Sequence, residues 1–237
     1  MLSVHQLHVK GRRDDLLPPT SLQAGRGRLL LVSGARQDHR TALALALSGR
    51  MKPTGGTVAW DGSARLTDLR LASAVVDAPG VNDPEEHLSV RDLVTEDLAF
   101  IPRRYRGALP GSGWLTANRF EDIAGLWTEQ LPAGRRIGLL TALALADPRV
   151  DLLVADSPDR HGGDPADWLP RLEELAYDAD RPLAVVATVA RIPADWTGPA
   201  AVIGNAAPPA GGGLPRELTE PNELPQPRRP LETEDAK

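Results

Sequence analysis

The stretch RLLLVSGARQDHRTALALALSG, residues 28–49, decides how this chain is read. Arg28 to Val32 form a short apolar run of the kind a strand buried on both faces shows. The Ala- and Leu-rich run Thr41 to Arg50 favours helix, and a polar loop separates the two. Strand, loop and helix in this order are the setting of the phosphate-binding pattern G-x-x-x-x-G-K-[ST], in which backbone amides and a helix N-terminus cradle anionic oxygens. The residues Gly34, Ala35, Arg36, Gln37, Asp38, His39, Arg40 and Thr41 keep the opening Gly and the closing hydroxyl of that pattern. His39 stands where its second Gly belongs, and Arg40 where its Lys belongs. Glycines there let the backbone approach phosphate and take positive φ, which Gln37 and His39 accommodate poorly. Arg40 keeps the positive charge but presents a planar fork on a longer arm. By itself the match is weak.

Working outward, Leu2 to Val9 is strand-like. MKPTGGTVAWDG (51–62) reads as a turn, a strand over Thr57 to Trp60 and an Asp-Gly hairpin signal, and Ala74 to Val76 is a second short apolar run. Ser89 followed by Asp92 predicts a helix start in SVRDLVTEDLAF. Arg103 to Gly113 reads as loop, and Phe120 to Leu131 and Arg135 to Ala146 as two helices. From Asp151 the alternation resumes with strand DLLVA, helix Ala166 to Ala176 and strand Pro182 to Thr188. Strands alternating with helices imply a mainly parallel sheet covered on both faces.

Composition narrows the function classes. With 41% hydrophobic and 25% charged residues among 237, disorder throughout is excluded, and the chain is long enough for a sizeable core. The absence of Cys excludes a disulfide scaffold, a thiolate metal site and a cysteine nucleophile. A net charge of -5 argues against a dedicated nucleic-acid binder. No secretory signal or spanning segment is read, because the longest apolar stretch, Gly138 to Ala146, falls far short of the ~20 residues a spanning helix needs. The chain is therefore expected to be soluble and cytoplasmic. The last 33 residues, Asn205 to Lys237, hold seven Pro and three consecutive Gly and are expected to be disordered. Lysine is scarce, with only Lys10, Lys52 and Lys237 against 24 Arg, a bias that explains Arg40 by drift but none of the other replacements described below.

The flanks of the loop carry a resemblance. TALALALSGRMKPTGGTVAWDG (41–62), HLSVRDLV (87–94) and LPAGRRIGLLTALALADPRVDLLVADSP (131–158) follow, in order and spacing, segments of the nucleotide-binding domain of ATP-binding cassette (ABC) transporters. The resemblance runs from about Leu2 to Gly204. It implies a P-loop NTPase-like α/β fold: a mainly parallel sheet with helices on both faces, a small antiparallel β part and a helical subdomain over about 84–146. Residues 1–204 would be the ABC-type domain and 205–237 the tail.

Carried over by position, the resemblance assigns nucleotide binding to Gly34 through Thr41 and, at the Q-loop position, to Asp77. It assigns magnesium to Thr41 and Asp156 and the signature motif to Leu131, Pro132, Ala133, Gly134 and Arg135. Ser157 stands where active members have a catalytic glutamate, and a hydroxyl with a pKa far above neutrality is no base; Asp159, two residues on, is the alternative carboxylate. Val189 stands at the switch-histidine position, and Gly163-Asp164-Pro165 at the D-loop. No aromatic precedes Trp60 to stack an adenine, which leaves Arg12 or Arg13 to provide a cation–π surface. The resemblance thus implies a degenerate ABC subunit that docks on a membrane permease, through which it is peripheral to the inner face of the cell membrane, and pairs as a homodimer or as a heterodimer with another ABC subunit. It would bind ATP and Mg weakly or not at all, hydrolyse little or none, and bind no nucleic acid. An active subunit of a heteromeric transporter and a soluble regulatory or scaffolding pseudo-ATPase are the alternatives.

Overall fold

Strand β3 (Arg28–Ser33) sends Leu29 and Leu31 into one hydrophobic core and Leu30 and Val32 into another. The computed structural model describes residues 1–162 and 164–206, and the same two-sided division recurs along its central strands. In β6 (Leu152–Asp156), Leu153 and Ala155 face the first core and Leu152 and Val154 the second. In β7 (Ala184–Val189), Val185, Ala187 and Val189 oppose Ala184 and Val186. Strands apolar on both faces need cover on both, which the parallel arrangement supplies. With β5 (Ser73–Val76) and β8 (Ala200–Val202) they form a five-stranded parallel sheet in the order β5-β6-β7-β3-β8.

One face carries α1 (Gln37–Leu47) and an antiparallel sheet of β1 (Leu2–Lys10), β2 (Asp15–Ala24) and β4 (Gly55–Trp60), in the order β2-β1-β4. A short helix, α2 (Leu66–Ala72), leads from that sheet into β5. The core on the other face is shared by α3 (Val90–Phe100), α4 (Gly111–Ala117), α5 (Ala133–Leu145) and α6 (Pro165–Tyr177). The fold class is the one expected: a parallel α/β sheet, a small antiparallel sheet and a helical part. Trp168 of α6 is one of the largest fully buried side chains. Trp168→Ala is expected to reduce the free energy of unfolding by about 3–5 kcal/mol, measured by urea titration, because the void left beneath α6 closes only in part.

Several elements differ from expectation. Phe120–Leu131 is not a helix but two 3-10 turns, Glu121–Ile123 and Thr128–Gln130. Its backbone bonds elsewhere: the Leu126 and Ala124 carbonyls accept from the Val90 and Arg91 amides, and Thr128 N–H donates to Leu88 O. The segment thereby satisfies orphan amides of α3, which Ser89 caps as expected, its Oγ accepting from Asp92 N at 3.2 Å. The Arg103–Gly113 loop ends early, because α4 starts at Gly111. Strand β2 carries Pro18 and Pro19 at a sheet edge, where a missing donor is tolerated, so its sequence does not read as a strand. Helix α1 begins at Gln37 rather than Thr41. Beyond Ala206 the Pro- and Gly-rich stretch lies outside the described residues. No helix among the described residues is long and apolar enough to cross a membrane.

Candidate functional site

The carboxyl ends of β3, β6 and β7 lie side by side, because β7 pairs with both of the others. In an open α/β sheet this edge is where ligands bind. Gly34 leaves β3 with its N–H donating to Val189 O at 3.0 Å. The loop is then short: Arg36 is the extended N-cap and Gln37 is already helical. None of residues 34–41 has a positive φ, so the alternating right- and left-handed backbone that aims successive amides at an anion is missing. Gly34 answers a packing need instead, since a Cβ there would lie 2.6 Å from Ile203 Cδ1. At the helix start, Asp38 accepts from the His39 amide at 3.0 Å, so the protein's own carboxylate sits on the N-terminus of α1. Hydrogen bonds from Arg36 hold that carboxyl down to about 2. A cleft of about 420 Å³ opens beside it, between Leu16, Thr41, Met51 and Pro79, and Asp38 is its one charged wall residue.

Arg40 is buried and turned back under the loop. Its Nε donates to Ser157 Oγ at 2.8 Å, one terminal nitrogen to the Gly34 and Ala35 carbonyls at 2.6 and 3.2 Å, and the other to Gln37 Oε1 at 2.6 Å. The guanidinium therefore binds the ends of β3 and β6 together. A lysine ammonium, with three donors at a single point, cannot span those four acceptors at once.

Asp156 is fully buried at the end of β6. Oδ2 accepts from Thr41 Oγ1 at 2.6 Å, and Oδ1 from Ser157 Oγ and Thr188 Oγ1 at 2.7 and 2.9 Å. Gln37 Nε2 adds a longer donation to Oδ1 at 3.3 Å and also reaches Thr41 Oγ1 and Ser157 Oγ, at 3.1 and 2.9 Å. Thr41 and Asp156, paired by expectation as magnesium ligands, do meet, but they meet each other. Ser157 has φ 55 and ψ 55, a left-handed backbone that costs a non-glycine residue about 1–2 kcal/mol. Its hydroxyl is spent on Asp156 while accepting from Arg40 and Gln37. Thr188, which sequence reasoning did not select, completes the network.

Asp77 follows β5 with φ 63 and is only 3% exposed. It lies in a separate cluster. Arg136 Nη2 and Arg160 Nη2 each donate to its Oδ1 at 2.8 Å, Arg136 Nε adds a bond at 3.2 Å to Oδ2, and His161 Nε2 lies 2.7 Å from Oδ2. Burial alone pushes this carboxyl up; hydrogen bonds from His161 and Arg136, with the charges of Arg136 and Arg160, more than reverse it, to about 2. The cluster joins the end of β5 to α5 and to the 3-10 turn Pro158–His161 that follows β6. Sequence reasoning selected none of Arg136, Arg160 and His161 as partners of Asp77: Arg136 follows another arginine at the start of α5, and Arg160 and His161 lie in a polar turn.

The other expected positions are dispersed. Leu131 is buried, Pro132 N-caps α5, and Ala133 begins it. A Cβ on Gly134 would stand 2.6 Å from Asp167 O, so this glycine lets α5 pack against α6. Arg135 pairs with Asp122 and lies over the Phe120 ring at 5.0 Å. Val189 is wholly within the core, and Asp159 Oδ2 accepts from Ala190 N at 2.7 Å, capping the chain after β7. Arg12 and Arg13 are exposed in a turn. Gly163 lies outside the described residues, and Asp164 caps α6.

No protein-family model and no curated protein sequence matches this chain. Solved structures do share its fold. CbiO1 from Clostridium perfringens, part of the ABC transporter complex CbiONQ, superposes with a TM-score of 0.58 at 17% identity, over 80% of this chain and 78% of that one. A bacterial ABC transporter cassette solved as a dimer gives 0.58 at 20% identity, over 81% and 88%. An ATP-binding cassette in a dimeric post-hydrolysis state with ADP and Pi gives 0.59 at 19%, over 81% and 88%. The chain has the fold of ABC transporter ATP-binding cassettes.

Proposed function

We propose that this protein is an ABC-type cassette subunit that acts by docking on a membrane permease, with its phosphate site closed by its own side chains and little or no ATP hydrolysis. The observation that carries the reading is Arg40: its guanidinium makes four hydrogen bonds that phosphate would have to displace, three to Gly34, Ala35 and Gln37 and one across to Ser157. Bonds to a charged group contribute roughly 1.5–3 kcal/mol each, so opening the site is expensive. The residues present do not fit Mg–ATP. The backbone nest is absent, Asp38 holds the helix N-terminus with a negative charge, and the Thr41 hydroxyl donates to Asp156, which also accepts from Ser157 and Thr188. No group at position 157 can take a proton from water, and the imidazole of the switch position is replaced by the buried Val189.

Support for docking comes from a cavity of about 330 Å³ between the sheet and the helical part, bordered by Leu71, Asp77, Asp97, Phe100 and Arg149. Phe100, 84% exposed, and Leu71, 56% exposed, line it together with Arg50, Arg70 and Asp147, and exposed apolar side chains rimmed by polar ones mark interaction sites. The similar CbiO1 is itself part of a transporter complex. Dimerisation and a place on the inner face of the membrane through the permease belong to the same reading.

Calorimetric titration of Mg–ATP and ADP into the purified chain tests the closed site. The wild type is expected to give no binding at micromolar nucleotide, and the double variant Arg40→Lys/His39→Gly to gain at least tenfold in affinity. Micromolar binding by the wild type overturns the reading.

A further inference from the structure

We propose that the loop after α3, centred on Arg103, Arg104 and Arg106, is a docking surface for an anionic phospholipid bilayer. This goes beyond the permease-docking reading, because it gives the chain a direct contact with lipid that needs neither nucleotide nor a protein partner. Between Ile101 and Phe120 there are four Arg and no Asp or Glu, in a chain whose net charge is -5. The field of this segment thus opposes that of the rest of the molecule. Among the described residues no carboxylate pairs with Arg103, Arg104 or Arg106. Arg106 donates only to Leu98 O, at 3.2 Å, and Arg104 lies 4.7 Å over the Tyr105 ring.

The cations are interleaved with apolar side chains. Leu109 is 52% exposed beside them, Tyr105 and Trp114 are half-buried, and Phe100 ends the preceding helix. Arg103 and Arg106 line an open depression of about 620 Å³ together with Leu98, Leu109 and Pro110. That is room for a phosphate headgroup beside the two arginines, with an apolar wall for the start of an acyl chain. Among the described residues Glu96 and Asp97 of α3 form no ion pair with these arginines, and Asp147 is held by Arg149, whose guanidinium in turn lies 4.4 Å over Tyr105. Arginines mixed with Tyr, Trp and Leu suit the headgroup layer of a bilayer, where charged heads meet phosphate and apolar parts meet acyl chains. An acidic protein partner would satisfy the cations but leave Leu109 and the open depression without use.

Co-sedimentation of the purified full chain with vesicles tests the proposal. Binding is expected with vesicles of phosphatidylcholine plus phosphatidylglycerol, not with phosphatidylcholine alone, and is expected to weaken at high salt. Arg103→Gln/Arg104→Gln/Arg106→Gln is expected to lower partitioning roughly a hundredfold, about fivefold for each charge removed from the surface, with an unchanged thermal midpoint confirming that the variant folds. Leu109→Ser should weaken binding without changing its salt dependence. Absence of binding to the phosphatidylglycerol vesicles, or equal binding by the triple variant, overturns the proposal. Tight binding of a soluble polyglutamate peptide with none to vesicles assigns the patch to an acidic protein and overturns it as well. None of these arms depends on nucleotide titration or on a permease, so the two readings fail separately.

Discussion

Asp77→Ala is expected to reduce the free energy of unfolding by about 3–5 kcal/mol, the usual consequence of breaking a buried ion pair by removing one partner. Deleting this one carboxylate leaves the guanidinium groups of Arg136 and Arg160 and the His161 ring facing one another, with Arg136 itself buried. For a domain of this size the thermal midpoint should fall by about 6–20 °C. The same cluster sets an acid limb. The Asp77 carboxyl is held at about 2 in the folded chain, below its unfolded value near 4. A depressed folded value stabilises fully above the unfolded one, so this contribution is present above about pH 4 and is lost as the pH falls from about 4 to about 2. Urea unfolding followed across that range should show a loss on the order of 2 kcal/mol in the wild type, and a shallower slope in Asp77→Asn. Equal slopes in the two would mean that another carboxylate controls the acid limb.

Asp156→Asn is the second large effect, about 2–4 kcal/mol of destabilisation, because three hydroxyls, of Thr41, Ser157 and Thr188, donate to this buried carboxylate. Asn replaces one acceptor oxygen with a donor and removes the charge, so at least one hydroxyl loses its partner and the rest bond more weakly. In a working phosphate site this carboxylate keeps lone pairs for a cation, and the same substitution would remove Mg–ATP stabilisation while leaving the empty protein nearly unchanged. The opposite is expected here. Thermal unfolding with and without Mg–ATP distinguishes the two, since a ligand at a hundredfold above its Kd adds about 2.7 kcal/mol. The variant should melt lower than the wild type, and added Mg–ATP should move neither. A wild-type midpoint that rises with Mg–ATP, and a variant midpoint that does not, would return a metal role to Asp156.

Much of the architecture was legible in the letters. The apolar runs of β3, β6 and β7 read as strands because they are buried on both faces, and Ser89 and Asp92 announced the start of α3. What failed to read depended on distant partners. Phe120–Leu131 has helical spacing, yet its amides and carbonyls serve Leu88 to Arg91, well over thirty residues away in sequence. Helix α1 starts a turn early for a related reason: Gln37, placed where the phosphate pattern is flexible, is drawn into the helix as its side chain bonds Thr41 and Ser157 and accepts from Arg40.

The candidate site divides the same way. The sequence by itself determined that positions 157 and 189 carry neither a carboxylate nor an imidazole, wherever they sit, and it is the resemblance that gives those two positions their weight. It also determined that Arg40 would carry a charge in the loop. Only the tertiary structure decided where that charge goes: into the Gly34 and Ala35 carbonyls and the Ser157 hydroxyl, because the neighbouring ends of β3 and β6 leave a buried guanidinium no other way to satisfy its donors. It likewise decided that Asp77 meets two arginines and a histidine from elements far apart in the chain. Side-chain identity and periodicity are local and can be read in order; the desolvation of a charge, and the partners that must offset it, are properties of the packed whole.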